Sequence, residues 1–207
     1  MGCDLVRGPD GKWMALADRI QSPSGAGYTL ENRIILASVF AEEFNASRVR
    51  RLKAWYDSKR DMLRSLLPQR RGNAGILMLT PGPYNETYFE HAFQARYLGF
   101  PLVEGADLTV RDRRLFLKTL EGLRRVDAVL RHVDDVFADP LELNPDSMLG
   151  AAGLLEAWRS GSVALANGLG CGVVETPALH PFLPGLCRKL LGEELKMACV
   201  PTWWCGD

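Results

Sequence analysis

Three short stretches of the 207-residue chain combine carboxylates, glycines and polar side chains at spacings that could do chemistry. In "ADRIQSPSGAGYTLENR", residues 17–33, Asp18 precedes a proline and glycine loop, and a helix start follows near Thr29. A strand delivering Asp18, then SerProSerGly, then a helix amino terminus would put a carboxylate and free backbone N–H groups on one side. The carboxylate could hold a divalent cation and the amides an anion. A nucleotide-dependent ligase needs that pairing to neutralise phosphate oxygens and hold an acyl phosphate or substrate carboxylate.

The second stretch is "PGPYNET", directly after the apolar run "GILMLT". Gly82 lets the backbone approach a ligand closely, and a helix starting near Glu86 would turn its positive end toward an anion. Alternatively Pro81, Gly82 and Pro83 form a rigid turn and Asn85 caps the helix. The third is "GLGCG", where Gly168, Gly170 and Gly172 could form a nest of N–H groups for a phosphate. It lacks the GxGxxG spacing and follows the last strand, which argues against a dinucleotide site. Between them, Asp134, Asp135 and Asp139 could bind Mg²⁺, although loop carboxylates are more commonly solvated.

Other chemistries find less support. Only His91, His132 and His180 are present, and no GxSxG elbow occurs, which disfavours a serine hydrolase. Cys171 stands between glycines, with nothing nearby in sequence to lower its pKa. The five cysteines form no CxxC pair, so neither a disulfide framework nor a zinc site is expected. No apolar run is long enough to span a bilayer and no signal peptide is evident, so the expected location is cytoplasmic, with no membrane partner. Net charge is zero, yet residues 48–71 hold nine Lys or Arg against Asp57 and Asp61. Leu52, Trp55, Tyr56, Met62, Leu63 and Leu66 recur at helical spacing opposite that charge, which reads as a solvated helix face rather than a nucleic-acid surface.

The elements that must position these residues can be laid out along the chain. "CDLVRGPDGKWMALAD" reads as a hairpin turning at ProAspGlyLys. Ile35, Leu36, Val39, Phe40 and Phe44 make the stripe of a helix over residues 29–44, and a second helix runs from a Ser47 cap to Leu67, stopped by Pro68. "QRRGN" looks like a linker. "GILMLT" is then a strand buried on both faces, followed by a helix capped by Asn85 and ending at Gly99. "PLVEG" is the next strand, "DLTVRDRRLFLKT" a hairpin turning at ArgAspArgArg, and "VDAVLRHV" a further strand. A helix over residues 147–160 and the strand "VALAN" complete the pattern. The expected class is α/β, with a mostly parallel sheet covered on both sides. In such a sheet ligands bind beyond the carboxyl ends of the strands, where all three strand-end loops lie.

At this point the residues resemble a known family, the circularly permuted ATP-grasp proteins related to glutathionylspermidine synthase-like amide ligases. The matching stretches are "LVRGPDGKWMALADR", "PSGAGYTLENR", "LTPGPYNETYFEHAFQARYLGFPLVEGADLTVRD", "VDAVLRHVDD", "DPLEL", "GVVE" and "TWWCGD", in the family's order. The resemblance implies that residues 1–68 are a permuted ATP-grasp segment, a hairpin plus two helices. Residues 72–207 would be a Rossmann-like pre-ATP-grasp domain that helps bind the acceptor. It also implies that the main ATP-grasp body is missing, so that this fragment would not turn over ATP alone.

The implied activity is ATP-dependent joining of a carboxylate to an amine through an acyl phosphate, with ATP and Mg²⁺ as cofactors in the full-length protein and a small molecule or peptide as substrate. Asp18 would help hold Mg²⁺. Ser24, Gly25 and Tyr28 would contact phosphate or carboxylate, with Glu31, Asn32 and Arg33 nearby. Thr80, Gly82, Asn85, Glu86, Arg131, Asp134, Asn167 and Gly168 would face the acceptor. One departure stands out: where many relatives have GluAspAsn, this chain has Ala17, Asp18 and Arg19. Two expected metal ligands are therefore absent, which keeps open a non-catalytic binding or docking module.

Overall fold

A computed structural model of the chain describes residues 1–67 and 75–206. The proposed linker "QRRGN" and the stop at Pro68 lie outside the described residues. Among these, no helix is long and apolar enough to cross a membrane.

The front of the chain forms an antiparallel hairpin, β1 (Gly2–Arg7) and β2 (Trp13–Arg19), around the expected turn. Helices α1 (Ala26–Val39), α2 (Ala41–Ala46) and α3 (Lys53–Ser65) follow. Next come β3 (Ile76–Leu79), α4 (Tyr88–Leu98), β4 (Leu102–Val103), the antiparallel trio β5 (Leu108–Arg111), β6 (Arg114–Thr119) and β7 (Gly122–Arg125), then β8 (Ala128–Arg131). The helix α5 (Leu154–Arg159), strand β9 (Ala164–Ala166) and helix α6 (Leu183–Leu191) end the sequence of elements. Strands β4, β3, β8 and β9 pair in that order, all parallel, so the class is mixed α/β, with one parallel and two antiparallel sheets among the described residues.

The parallel strands read as apolar runs because both faces are covered, and successive side chains serve opposite cores. Leu77, Leu79, Val129 and Leu165 join Leu108, Leu115 and Leu154 on the face carrying α5 and the β5–β7 sheet. Ile76, Met78, Ala128, Leu130 and Ala166 join Leu30, Tyr56, Leu63, Ala95 and Leu98 on the face carrying α1, α3 and α4. The front helices thus share a core with the parallel sheet.

Several expected elements differ. The helix over 29–44 is broken at Phe40, which leaves the helical region, and α2 restarts with Glu42 and Glu43 in its first turn, where carboxylates suit the helix dipole. The stripe of Ile35, Leu36, Val39 and Phe40 is exposed, and only Gly27 and Leu30 of α1 are buried. Ser47 closes α2 instead of opening α3, because Arg48 follows at a positive φ of 47°. The basic face of α3 is not wholly solvated: the Arg60 guanidinium donates to the Tyr97 and Leu98 carbonyls at 3.1 and 3.2 Å, where a cation suits the carboxyl end of α4.

Thr87, not Asn85, is the cap residue of α4; the Asn85 Oδ1 accepts the Thr87 N–H at 2.9 Å. Gly99 ends that helix as expected, at a φ of 76°. The ArgAspArgArg turn also forms, with Asp112 and Arg113 both at positive φ, as a two-residue hairpin turn requires. The helix over 147–160 shrinks to α5. The buried Asp139 carboxylate holds the preceding segment in turns by accepting the N–H groups of Leu141, Gly153 and Leu155.

Candidate functional site

The chain runs from β3 outward to β4, then returns to place β8 on the other side of β3. Connections therefore leave the neighbours β3 and β8 in opposite directions, which opens a crevice at their carboxyl ends. A cleft of about 360 Å³ lies there. Asn85, Glu86 and Thr87 line it from the loop after β3, and His132, Asp134 and Phe137 from the loop after β8. Arg19, Gln21, Ser22 and Ser24 close it from the front hairpin's loop.

That front loop is tied to the sheet by side chains from distant parts of the sequence. The Ser22 hydroxyl donates to Asp134 Oδ1 at 2.6 Å, and the Asp135 N–H donates to Gln21 Oε1 at 3.0 Å. The Asn167 amide donates to the carbonyls of Ile20 and Gln21. The early hairpin and the late strand ends therefore face one cleft.

The backbone donors expected to bind a ligand anion are taken by the protein's own carboxylates. Glu175 accepts the N–H groups of Ile20 and Gln21, and these bonds help hold its pKa below the ordinary value, against burial, which acts to raise it. Glu90, fully buried, accepts the Gly25 N–H at 2.5 Å. Asp135 accepts the N–H groups of Gly170 and Gly172 at 3.0 and 3.3 Å, so the glycine nest holds an internal anion. Asp135 and Asp139 are accordingly structural ligands rather than solvated charges, while Asp134 stays exposed at the cleft.

Beneath the cleft, Arg131 is fully buried. It pairs with Asp135 and donates to the carbonyls of Val133, Asn167 and Gly168. His91 is hydrogen-bonded at both nitrogens, to Thr80 Oγ1 at 2.9 Å through Nδ1 and to Thr87 Oγ1 at 3.1 Å through Nε2. Because the Thr87 hydroxyl donates to Asn85 Oδ1, it must accept from His91, which places the proton on Nε2 and leaves Nδ1 to accept from Thr80. Burial and then Lys59 bring the His91 pKa down to about 4, in keeping with a neutral ring. His132 lies against it, ring centroids 4.3 Å apart, and burial lowers its pKa well below the ordinary value.

Of the residues singled out from the sequence, Ser24, Asn85, Glu86 and Asp134 line the cleft. Thr80, Gly25, Arg131 and Asn167 sit behind it as supports, with the Gly82 N–H on Thr80 Oγ1 and the Gly168 carbonyl on Arg131. Tyr28 donates to the Glu86 carbonyl and stacks on Phe89. Glu31, Asn32 and Arg33 are not among the cleft-lining residues; Arg33 donates to the Arg50 carbonyl. Arg19 stands out from the sequence only as a departure at a metal position, and Gln21, Ser22, His132 and Glu175 carry no site role there. Only a structure shows that Gln21 and Asp135 meet, since nothing in local sequence pairs positions so far apart. Cys171 is no activated thiol: burial and then Asp135 push it up, outweighing Arg131.

Asp18 does not fit a magnesium site within this stretch. Its carboxylate stands 4.0 Å from His180 Nε2 and is not part of the cleft, whereas the next residue, Arg19, brings a cation to it. Among the described residues no group of three or more His, Cys, Asp or Glu could hold a metal ion.

The family model described as circularly permuted ATP-grasp type 2 matches residues 1–207. The chain belongs to this family. Membership in circularly permuted ATP-grasp type 2 implies an ATP-dependent, ligase-type fold, and the family generally uses ATP and Mg²⁺. An uncharacterized protein of Synechocystis sp. is 42% identical over 204 residues, which is 99% of this chain and 42% of that protein. Two uncharacterized proteins of Mycobacterium tuberculosis are 42% and 39% identical over the same length, covering 23% and 37% of theirs. The chain thus spans less than half the length of these curated relatives.

Proposed function

We propose that this ATP-grasp stretch forms the acceptor-side wall of an enzyme that joins a carboxylate to an amine through an acyl phosphate. A carboxylate oxygen would attack the γ-phosphorus with loss of ADP. The amine nitrogen would then attack the acyl carbon, expel phosphate and release a proton. In the cleft, the Glu86 and Asp134 carboxylates are suited to an amine; the Arg19 guanidinium at its edge is paired with Asp4 at 3.1 Å. Ser22, Gln21 and Asn167 fix the wall on which these groups sit. Nucleotide and magnesium would be held by sequence that the longer relatives carry and this stretch does not.

The observation that carries this reading is the joining of the Ile20–Ser24 segment to the carboxyl ends of β8 and β9, by Ser22 with Asp134 and Asn167 with Ile20 and Gln21, around one polar cleft. The test is isotope transfer. The protein carrying this stretch joined to the remaining sequence of the Synechocystis relative is given ATP, Mg²⁺ and ¹⁸O-carboxylate acids with an amine pool. An acyl phosphate route delivers ¹⁸O to inorganic phosphate, and phosphate free of label overturns it.

A second reading, a non-catalytic binding module, is favoured by Asp18 facing His180 while Arg19 faces the cleft. Nucleotide titration of the same protein separates the two. Binding that Mg²⁺ does not strengthen supports the module.

A further inference from the structure

A second cavity, of about 390 Å³, lies between α3 and the carboxyl ends of β8 and β9. Trp55 and Met62 of α3 line it and are about half exposed, and Leu130 and Ala166 line it from the buried sheet. Ser24, Ser58 and Asn167 border it, as does Arg131, whose guanidinium is already bonded to Asp135 and three carbonyls; the polar groups left to meet a ligand are Lys59 and His132. The size falls within the ordinary range for small-molecule sites, and a mostly apolar lining with a few converging polar groups is their usual composition.

His132 is the observation that points to an occupant. It is 4% exposed, and neither ring nitrogen has a hydrogen-bond partner among the described residues. A buried polar group left without a partner costs about 1–3 kcal/mol; both ring nitrogens are covered by protein atoms, so a ligand that accepts from the ring N–H removes that penalty on a small turn of the ring. Lys59 supplies charge. Its ammonium donates to Gln94 Oε1 at 2.7 Å and lies 5.4 Å above the Trp55 ring centre, and an ammonium has three donors to give. Burial brings its pKa down to about 8, so at neutral pH it is still cationic in an environment that has stripped much of its water. A desolvated cation and an unpaired N–H above an apolar floor match an anionic head on an apolar body.

We propose that this cavity binds a small monocarboxylate with an apolar or aromatic body, the carboxylate bridging Lys59 Nζ and the His132 ring N–H and the body lying against Trp55, Met62 and Leu130. The site is separate from the strand-end cleft, though His132 and Ser24 border both, and it does not depend on the ligase reading.

The test titrates the chain with three probes, 3-phenylpropanoate, 3-phenylpropanamide and inorganic phosphate, following heat of binding and the His132 ring resonances by NMR. Saturable one-to-one binding of the carboxylate is expected with a Kd of about 0.1–1 mM, and at least about 10-fold weaker binding of the amide and of phosphate. Lys59→Met keeps the aliphatic stem and should weaken the carboxylate by about 10-fold or more. In the unaltered chain the His132 resonances should shift with the same midpoint, a readout that needs no variant to fold. No saturation by about 10 mM overturns the proposal on the affinity scale used above. So do equal affinities for acid and amide, phosphate binding as tight as the acid, or saturation with His132 unmoved. None of these outcomes bears on ¹⁸O transfer, so the two readings fail separately.

Discussion

The Ser22 hydroxyl donates to the Asp134 carboxylate at 2.6 Å, across 112 residues of sequence. It is a bond between the hairpin's loop and the loop leaving β8, and it closes one side of the strand-end cleft. A hydroxyl on a carboxylate is a charge-assisted bond, short as such bonds are, and it fixes where the Asp134 charge points.

Ser22→Ala should therefore cost about 1 kcal/mol in urea unfolding. It should also speed amide exchange in the Gln21–Ser24 loop. Unchanged exchange, with less than about 0.3 kcal/mol lost, would show that the Gln21 and Asn167 contacts suffice.

Buried Arg131 and partly exposed Asp135 form a pair whose partners outnumber the pair itself. Arg131→Met leaves the Asp135 carboxylate without its cation, and Asp135→Asn leaves a fully buried guanidinium without its anion. Each should cost about 3–5 kcal/mol, and the double variant should lose clearly less than the sum. A double-mutant cycle on thermal or denaturant midpoints reads this directly. Additive losses would show that the two side chains act independently.

Gly27 faces α4 so closely that an added Cβ would stand 2.6 Å from Glu90 Cγ and 3.0 Å from the Glu90 carbonyl oxygen. Gly27→Ala should push α1 away from α4 and cost about 1–3 kcal/mol. Gly185 in α6 has nothing within 4 Å of the same position, so Gly185→Ala should instead add about 0.5–1 kcal/mol. Unfolding midpoints of the two variants should move in opposite directions.

Acid should destabilise the fold before the carboxylates titrate. His91 has a pKa of about 4 and His132 one well below 6.5 in the folded chain, while both are near 6.5 when unfolded. As pH falls below about 6.5 the unfolded chain binds protons that the folded chain does not, so stability falls toward pH 4, by up to about 1.4 kcal/mol per unit for each ring. Tm measured from pH 7.5 to 4.5 should fall across that window, and His132→Phe should flatten the slope. A Tm independent of pH there would contradict buried neutral rings.

What could be read from sequence was whatever depends on near neighbours. "GILMLT" is apolar throughout because β3 has a strand on each side and a core on each face, and the ArgAspArgArg turn follows from two residues that tolerate positive φ. The strand-end placement of Asn85, Glu86 and Asp134 came from the same local pattern combined with the parallel-sheet rule. The hidden part is long-range pairing. Glu90 reads as an ordinary first-turn helix residue until Gly25 is folded against it, and Asp135 reads as a solvated loop charge until the glycines after β9 arrive. The apolar stripe of α1 misled for a related reason: periodicity marks a face that shuns water but not what covers it, and within this chain Ile35, Leu36 and Val39 are exposed.

Glu175, Glu90 and Asp135 each occupy main-chain donors of a loop bordering the strand ends. An acid group tethered in place competes at an effective concentration that millimolar solutes do not match. The loops are thus saturated from within, and dissolved phosphate or sulfate should neither loosen nor tighten them. Discrimination among charged guests falls to groups on the rim such as Glu86, which can be altered without rebuilding the turns that hold them.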